Sequence, residues 1–146
     1  LLQAAYVVRI YALAMRLGVE RVHIMFATDT DNFNGGFFLR DRAWRPSAHA
    51  VKTMITLLPR PRLEETLADG ADGCSVYRFT PDLSSRTRQS PVVMAWNVAG
   101  PKQYRLPWPS ATAVVTDMLG SSREVRASGG TLSLEIGPCP VYVSAP

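Results

Sequence analysis

The run RVHIMFA, residues 21–27, limits what this chain can fold into more than any other stretch. It is a continuous apolar segment with a helical pattern on either side, which fits a strand of a parallel sheet covered on both faces. Such a strand needs parallel neighbours, because buried backbone amides and carbonyls left unpaired are too costly to keep. Residues 1–58 offer only this one strand and two helices. The chain therefore reads as the closing α-β-α of a larger α/β domain whose earlier units lie outside it. The start agrees with this, since the helical pattern is already running at Leu1 with neither an initiator methionine nor a cap residue.

The first helix is expected over residues 1–17. Its strongly polar positions before Gly18 are Gln3, Arg9 and Arg16. The two arginines are seven apart and share one narrow stripe at about 3.6 residues per turn, leaving the rest covered. Gly18 suits a stop just past the last turn. A second helix is expected over 46–58, with Pro46 in its first turn. Ala48, Val51, Ile55 and Leu58 then make one buried stripe, and His49, Lys52, Thr53 and Thr56 turn outward. The prolines of PRPR at 59–62 break it, and 59–66 reads as a linker.

After the linker the period becomes two. CSVYRF, PVVMAWNV, QYRLP, TAVVTDM, REVRA, TLSLEI and PVYVS are short segments separated by Gly, Pro and Ser, spaced as in an antiparallel sandwich or barrel. DMLG is the expected hairpin turn between the fourth and fifth of them.

Composition narrows the function classes. The net charge is +4. It is spread out, with seven basic and four acidic residues in 1–58 against nine and eight in 59–146. Neither part has the basic stripe that tracks a phosphate backbone, so no nucleic-acid partner is expected. No apolar run approaches the roughly 20 residues of a membrane span, and no membrane partner is expected. Cys74 and Cys139 form no CxxC, and two histidines complete no zinc or redox motif. Two buried free thiols are one reading and a disulfide the other, which leaves the compartment open. No cofactor or metal is expected.

The order of these features resembles a known family. A Gln-Ala near a helix start, in QAAYVVRIYALAMRLGVERV, leads to a strand, an acidic loop, the stretch GFFLRDRAWRPSAHAVKTM, and strands VVMAWNV, AVVTDMLG and PVYV. This is similar to the carboxy-terminal end of retaining glycoside hydrolases built on a (β/α)8 barrel with an appended β-sandwich. The implied fold class is α/β plus all-β, the last α-β-α unit of a TIM barrel followed by an antiparallel β-sandwich. Residues 1–58 would be the incomplete barrel piece, with the seventh helix at 1–17, the eighth strand at 21–27 and the eighth helix at 46–58. Residues 67–146 would be the accessory sandwich. Where relatives commonly show Trp or Tyr near the end of the eighth strand, this chain has Met25 and Phe26.

Retaining glycosidases use two carboxyl groups about 5–5.5 Å apart. In the resembled family both positions fall before Leu1, so no catalytic residue is expected here, and the chain alone should hydrolyse no glycoside. What remains is the barrel rim, at the carboxyl ends of the strands, where TDTDNFNGG begins. Asp29, Asp31 and Asn32 are candidates to accept hydrogen bonds from sugar hydroxyls, with Phe26 or Phe33 stacking on a ring. The competing reading makes Asp and Asn ordinary turn residues bonded to their own backbone. His23 is expected in the core, Trp44 against the barrel base, Trp96 in core or interdomain packing, and Trp108 as a loop anchor. The carbohydrate substrate would bind the complete barrel. Two other functions stay open: a non-catalytic carbohydrate-binding or structural β-sandwich, and a different α/β enzyme sharing only topology.

Overall fold

The computed structural model describes residues 1–24, 27–32, 34–81 and 90–146. Two helices, α1 (Leu2–Arg16) and α2 (Pro46–Leu57), precede eight strands: β1 (Arg62–Asp69), β2 (Cys74–Thr80), β3 (Val92–Asn97), β4 (Lys102–Pro107), β5 (Thr112–Asp117), β6 (Ser122–Arg126), β7 (Thr131–Ile136) and β8 (Val141–Ser144). All strand pairs are antiparallel. A six-stranded sheet runs β1-β2-β3-β8-β5-β6, and β4 pairs with β7 in a second, two-stranded sheet.

Strand alternation places a core on each side of the large sheet. Tyr77, Phe79, Val92, Met94, Trp96 and Tyr142 face the helices and join Ala4, Ala5, Val8, Ala12, Ala50, Met54 and Leu58. The residues between them, among them Val76, Val93, Ala95 and Val143, face Leu106, Leu132, Leu134 and Ile136 of the small sheet. β3 is buried on both faces, which explains its unbroken apolar sequence. Trp96 belongs to the helix-facing core. Trp108 is buried on the other side, where its Nε1 donates to Thr112 O at 3.0 Å, so it anchors its loop.

The expected hairpin is present. Asp117 Oδ1 accepts from the amides of Leu119 and Ser121 at 2.8 and 3.0 Å, and Gly120 carries φ +101°. Gly18, at φ +70°, ends α1 as expected. Its amide donates to Met15 O and that of Val19 to Ala14 O, the paired bonds that close a helix on a left-handed residue.

Five details differ from expectation. β1 begins at Arg62, inside the stretch assigned to the linker. It is a mostly exposed edge strand with two register shifts, so its sequence carries no clean alternation. Of the run expected to be a doubly covered strand, residues 21–24 join no ladder and His23 and Ile24 are exposed; 25 and 26 lie outside the described residues. His23 is thus not a core histidine. Only the end of the run finds a neighbour among the described residues: Ala27 O accepts from the amides of Phe37 and Phe38, and Thr28 bridges Phe38 in parallel. Ile55 is 58% exposed, while Ala50 and Met54 face the sheet instead. Both cysteines are free, Cys74 buried but Cys139 exposed.

The fifth difference reverses α1. Arg9 is 6% exposed, lies over the Tyr6 ring at 4.6 Å and donates from Nε to Ala5 O. Arg16 sits over the Tyr77 ring. The exposed stripe is instead Leu2, Tyr6, Ile10, Leu13 and Leu17, spaced four, four, three and four along one side. The small side chains of Ala4, Ala5 and Ala12 let α1 lie close against its neighbours, so the alanine side turns in and the large apolar side turns out.

Candidate functional site

The acidic loop is built around Asp29, the buried carboxylate of this region. Thr28 bridges Phe38 in parallel, and Phe38 bridges Trp44 antiparallel, so three short passes of chain lie side by side. Asp29 N donates to Phe38 O at 2.9 Å, and Arg45 N to Phe37 O at 2.9 Å. The tight return between the second and third passes needs Arg42 at φ +67°, and Asp41 Oδ1 steadies it by accepting from Ala43 N at 2.9 Å.

Asp29 ties the loop to the start of α2. Its Oδ1 accepts from Gly36 N at 2.9 Å and its Oδ2 from Arg45 Nη2. Arg45 is the residue before the first turn of α2, where Pro46 leaves no amide to cap. The Arg45 guanidinium holds the Asp29 carboxyl below the usual carboxylate range, and the Gly36 amide adds to this against the opposing effect of burial. That direction suits a permanent anion and is wrong for a general acid. A carboxyl depressed in the folded chain contributes stability above its unfolded pKa and loses it as pH falls through the folded one. The clamp should therefore still be closed where a free aspartate titrates, near about pH 4, and open only at more acidic pH. Proton-exchange protection of the Gly36 amide, followed down an acid series, should disappear at lower pH than free aspartate titrates; in Asp29→Asn no such step should remain.

Gly36 is required by contact. A Cβ there would come within 2.8 Å of Ala27 O and Thr28 C, both backbone atoms. Gly36→Ala should push the passes apart and cost about 1–3 kcal/mol, read as a lower denaturation midpoint with unchanged slope.

The other expected site residues lie differently. Asp31 is exposed and pairs with Arg40 at 2.5 Å, and Arg40 also donates to Thr30 O. Asn32 is exposed. Phe26 and Phe33 lie outside the described residues. The loop thus brings Asp31 and Asn32 to the surface and turns Asp29 inward, where it shapes the loop. Asp29 and Asp31 are committed to different arginines and form no shared acid/base pair. Gln3, whose Nε2 donates to Gly35 O at 2.8 Å, tethers the loop to the first turn of α1. Arg45 and Gln3 were not singled out as site residues from sequence. The only signal for Arg45 was its place one residue before the helix proline. Among the described residues no three His, Cys, Asp or Glu side chains gather as metal ligands.

Trp44 is 49% exposed, packed edge-on against Phe38 at 5.5 Å and tilted against His49 at 5.2 Å. With Ala48, Val51 and Ile55 it lines an open apolar hollow along α2.

No family model matches the sequence, and neither does any curated protein. Among solved structures the chain is similar to a family 39 glycoside hydrolase from the gut symbiont Bacteroides cellulosilyticus WH2, with a TM-score of 0.75 and 26% identity. The similarity covers 98% of this chain and 30% of that one, so this chain spans less than a third of the length of that structure. In fold and in sequence the chain is therefore similar to part of a glycoside hydrolase.

Proposed function

We propose that this chain is the carboxy-terminal portion of a glycoside hydrolase that cleaves glycosidic bonds by a retaining, two-carboxylate mechanism. In this reading residues 1–58 close a (β/α)8 barrel, 67–146 form its accessory sandwich, and both catalytic carboxyls belong to the barrel outside this chain. The observation that carries the reading is the reversed α1, which buries its arginine and exposes Leu2, Tyr6, Ile10, Leu13 and Leu17. A contiguous apolar stripe of this kind marks a surface that another element covers. The side of α2 bearing Trp44 and Ile55 is exposed too, and barrel helices present one side to strands and the other to their surroundings. The glycosidase part rests on the similarity to the family 39 enzyme, because a fold does not set chemistry by itself.

The barrel rim would then carry Phe26, Asp29, Asp31 and Asn32 near the sugar, with Asp29 acting through the shape of the loop. Reading the genomic sequence upstream of Leu1 and expressing the joined polypeptide tests the proposal. The expected result is turnover of aryl glycosides with retained anomeric configuration, lost on substituting a Glu at an upstream strand end. An upstream sequence without α/β units would overturn it. In the joined enzyme, Asp31→Ala and Asn32→Ala should each raise KM about tenfold, the worth of one hydrogen bond to a hydroxyl at a charged or well-placed partner, with kcat little changed.

For the alternative, a carbohydrate-binding sandwich, the described residues of the strand region offer no exposed aromatic surface for stacking. Among the described residues of the strand region the exposed large apolar side chains are Val98 and Leu119, and neither is aromatic. An open cleft of about 620 Å³ lies beside Trp108, but that ring is only 8% exposed.

A further inference from the structure

The polar side of α2 does not simply face solvent. His49, Lys52, Thr53 and Thr56 fall at i, i+3, i+4 and i+7, one side of a helix, and this side looks across a cleft at the β5–β6 hairpin. Thr116 and Ser122 form the opposite wall, their hydroxyls hydrogen-bonded to each other at 2.9 Å. The cleft encloses about 320 Å³, at the lower end of small-molecule sites. Gly120 lets the hairpin approach, since a Cβ there would lie 3.2 Å from Thr53 Oγ1.

The lining chemistry is one-sided. Two nitrogen-bearing side chains and four hydroxyls line it, and no carboxylate does. Asp117, at the base of the hairpin, is turned to the amides of Leu119 and Ser121. Among the described residues neither His49 nor Lys52 has an acidic partner. Both are held in place by Trp44: His49 lies against its ring, and Lys52 Nζ sits 5.6 Å from the ring centroid. A lysine held this way loses less side-chain entropy when it meets a ligand than one waving in solvent.

We infer that this cleft binds an oxyanion, a sulfate, phosphate or carboxylate group, with Lys52 supplying the charge, His49 a ring N–H, and the Thr53 hydroxyl and one hydroxyl of the Thr116–Ser122 pair donating to its oxygens, while Thr56 donates to Lys52 O. Such bonds to a full negative charge are the strong class of hydrogen bond. The site is separate from the barrel rim and does not depend on the glycosidase reading. Two sources carry this chemistry, a free inorganic ion and a charged substituent on a saccharide.

Calorimetric titration of the full chain with sodium sulfate, against sodium chloride at matched ionic strength, tests it. Saturable sulfate binding is expected, weakened about tenfold by Lys52→Gln and recovered in Lys52→Arg. Lys52 is exposed, so the circular dichroism of both variants should match the parent. Thr53→Val should weaken sulfate binding as well, without removing any charge. Absence of saturable binding, equal heats with chloride, or indifference to Lys52→Gln would overturn the site. A sulfated disaccharide that binds tighter than sulfate identifies a saccharide as the source; equal binding identifies the free ion. A desulfated parent that binds as tightly as the sulfated sugar would overturn the oxyanion assignment.

Discussion

Tyr142→Ala should lower the unfolding free energy by about 3–5 kcal/mol, the largest single-residue effect expected in this chain. Tyr142 is 1% exposed and stands in the middle of the large sheet, opposite Met94 on β3 and Thr116 on β5, with its ring in the helix-facing core. Truncation leaves a cavity between two layers held by strands on both sides, which cannot collapse easily. Tyr142→Phe should behave very differently. Among the described residues the buried Tyr142 hydroxyl has no hydrogen-bond partner, so removing it deletes a polar group whose burial is uncompensated. The phenylalanine variant should match the parent or exceed it by up to about 1 kcal/mol. Alkali separates the two further. Burial pushes the Tyr142 phenol far above its ordinary value. The unfolded chain releases this proton near pH 10 while the folded chain keeps it, so stability from this residue is intact below about pH 10 and falls as pH rises beyond it. Urea midpoints measured from pH 7 to 11 should fall less steeply in Tyr142→Phe. An alanine variant within 1 kcal/mol of the parent would mean the layers do not meet at this residue.

The second large effect concerns association. The chain by itself should form oligomers or bind apolar dyes through the outer stripe of α1. Covering a large apolar side chain contributes about 1.5–3 kcal/mol, and Leu2, Tyr6, Ile10, Leu13 and Leu17 stand together on this side. The double variant Ile10→Lys, Leu13→Lys should sediment as a monomer and lose most dye fluorescence. Because both positions are exposed, its own unfolding free energy should change by no more than about 0.5 kcal/mol per site. In the joined enzyme the same pair should be severely destabilising, since there the lysines would lie against the barrel. A parent chain that is monomeric and dye-silent at high concentration would remove the main support for an absent covering element.

Much of the strand region was legible. The alternation in TAVVTDM and TLSLEI gives strands at nearly the observed limits because one side of each meets a core, and period two records that directly; CSVYRF, buried on both sides, was marked by its length and by the Gly73 and Pro81 that bound it. Asp117 and Gly120 marked the hairpin through their own local hydrogen bonding and left-handed backbone. β1 was not legible, because an exposed edge strand with register shifts has few apolar positions to alternate. In the loop, Asp29 and Asp31 look equivalent in sequence. Their difference comes from Arg45, sixteen residues on, which only the folded chain brings to one of them.

The sequence by itself determined where both helices and most of the strands run, since periodicity and local turn chemistry act over a few residues. It also determined that α1 is apolar almost all round. Which side of α1 turns inward was decided only by the tertiary structure: a helix oily on two sides has no preference until a neighbour's shape selects one. Here the alanine side fits the narrow space against α2 and the sheet, and the leucine side is left for another partner.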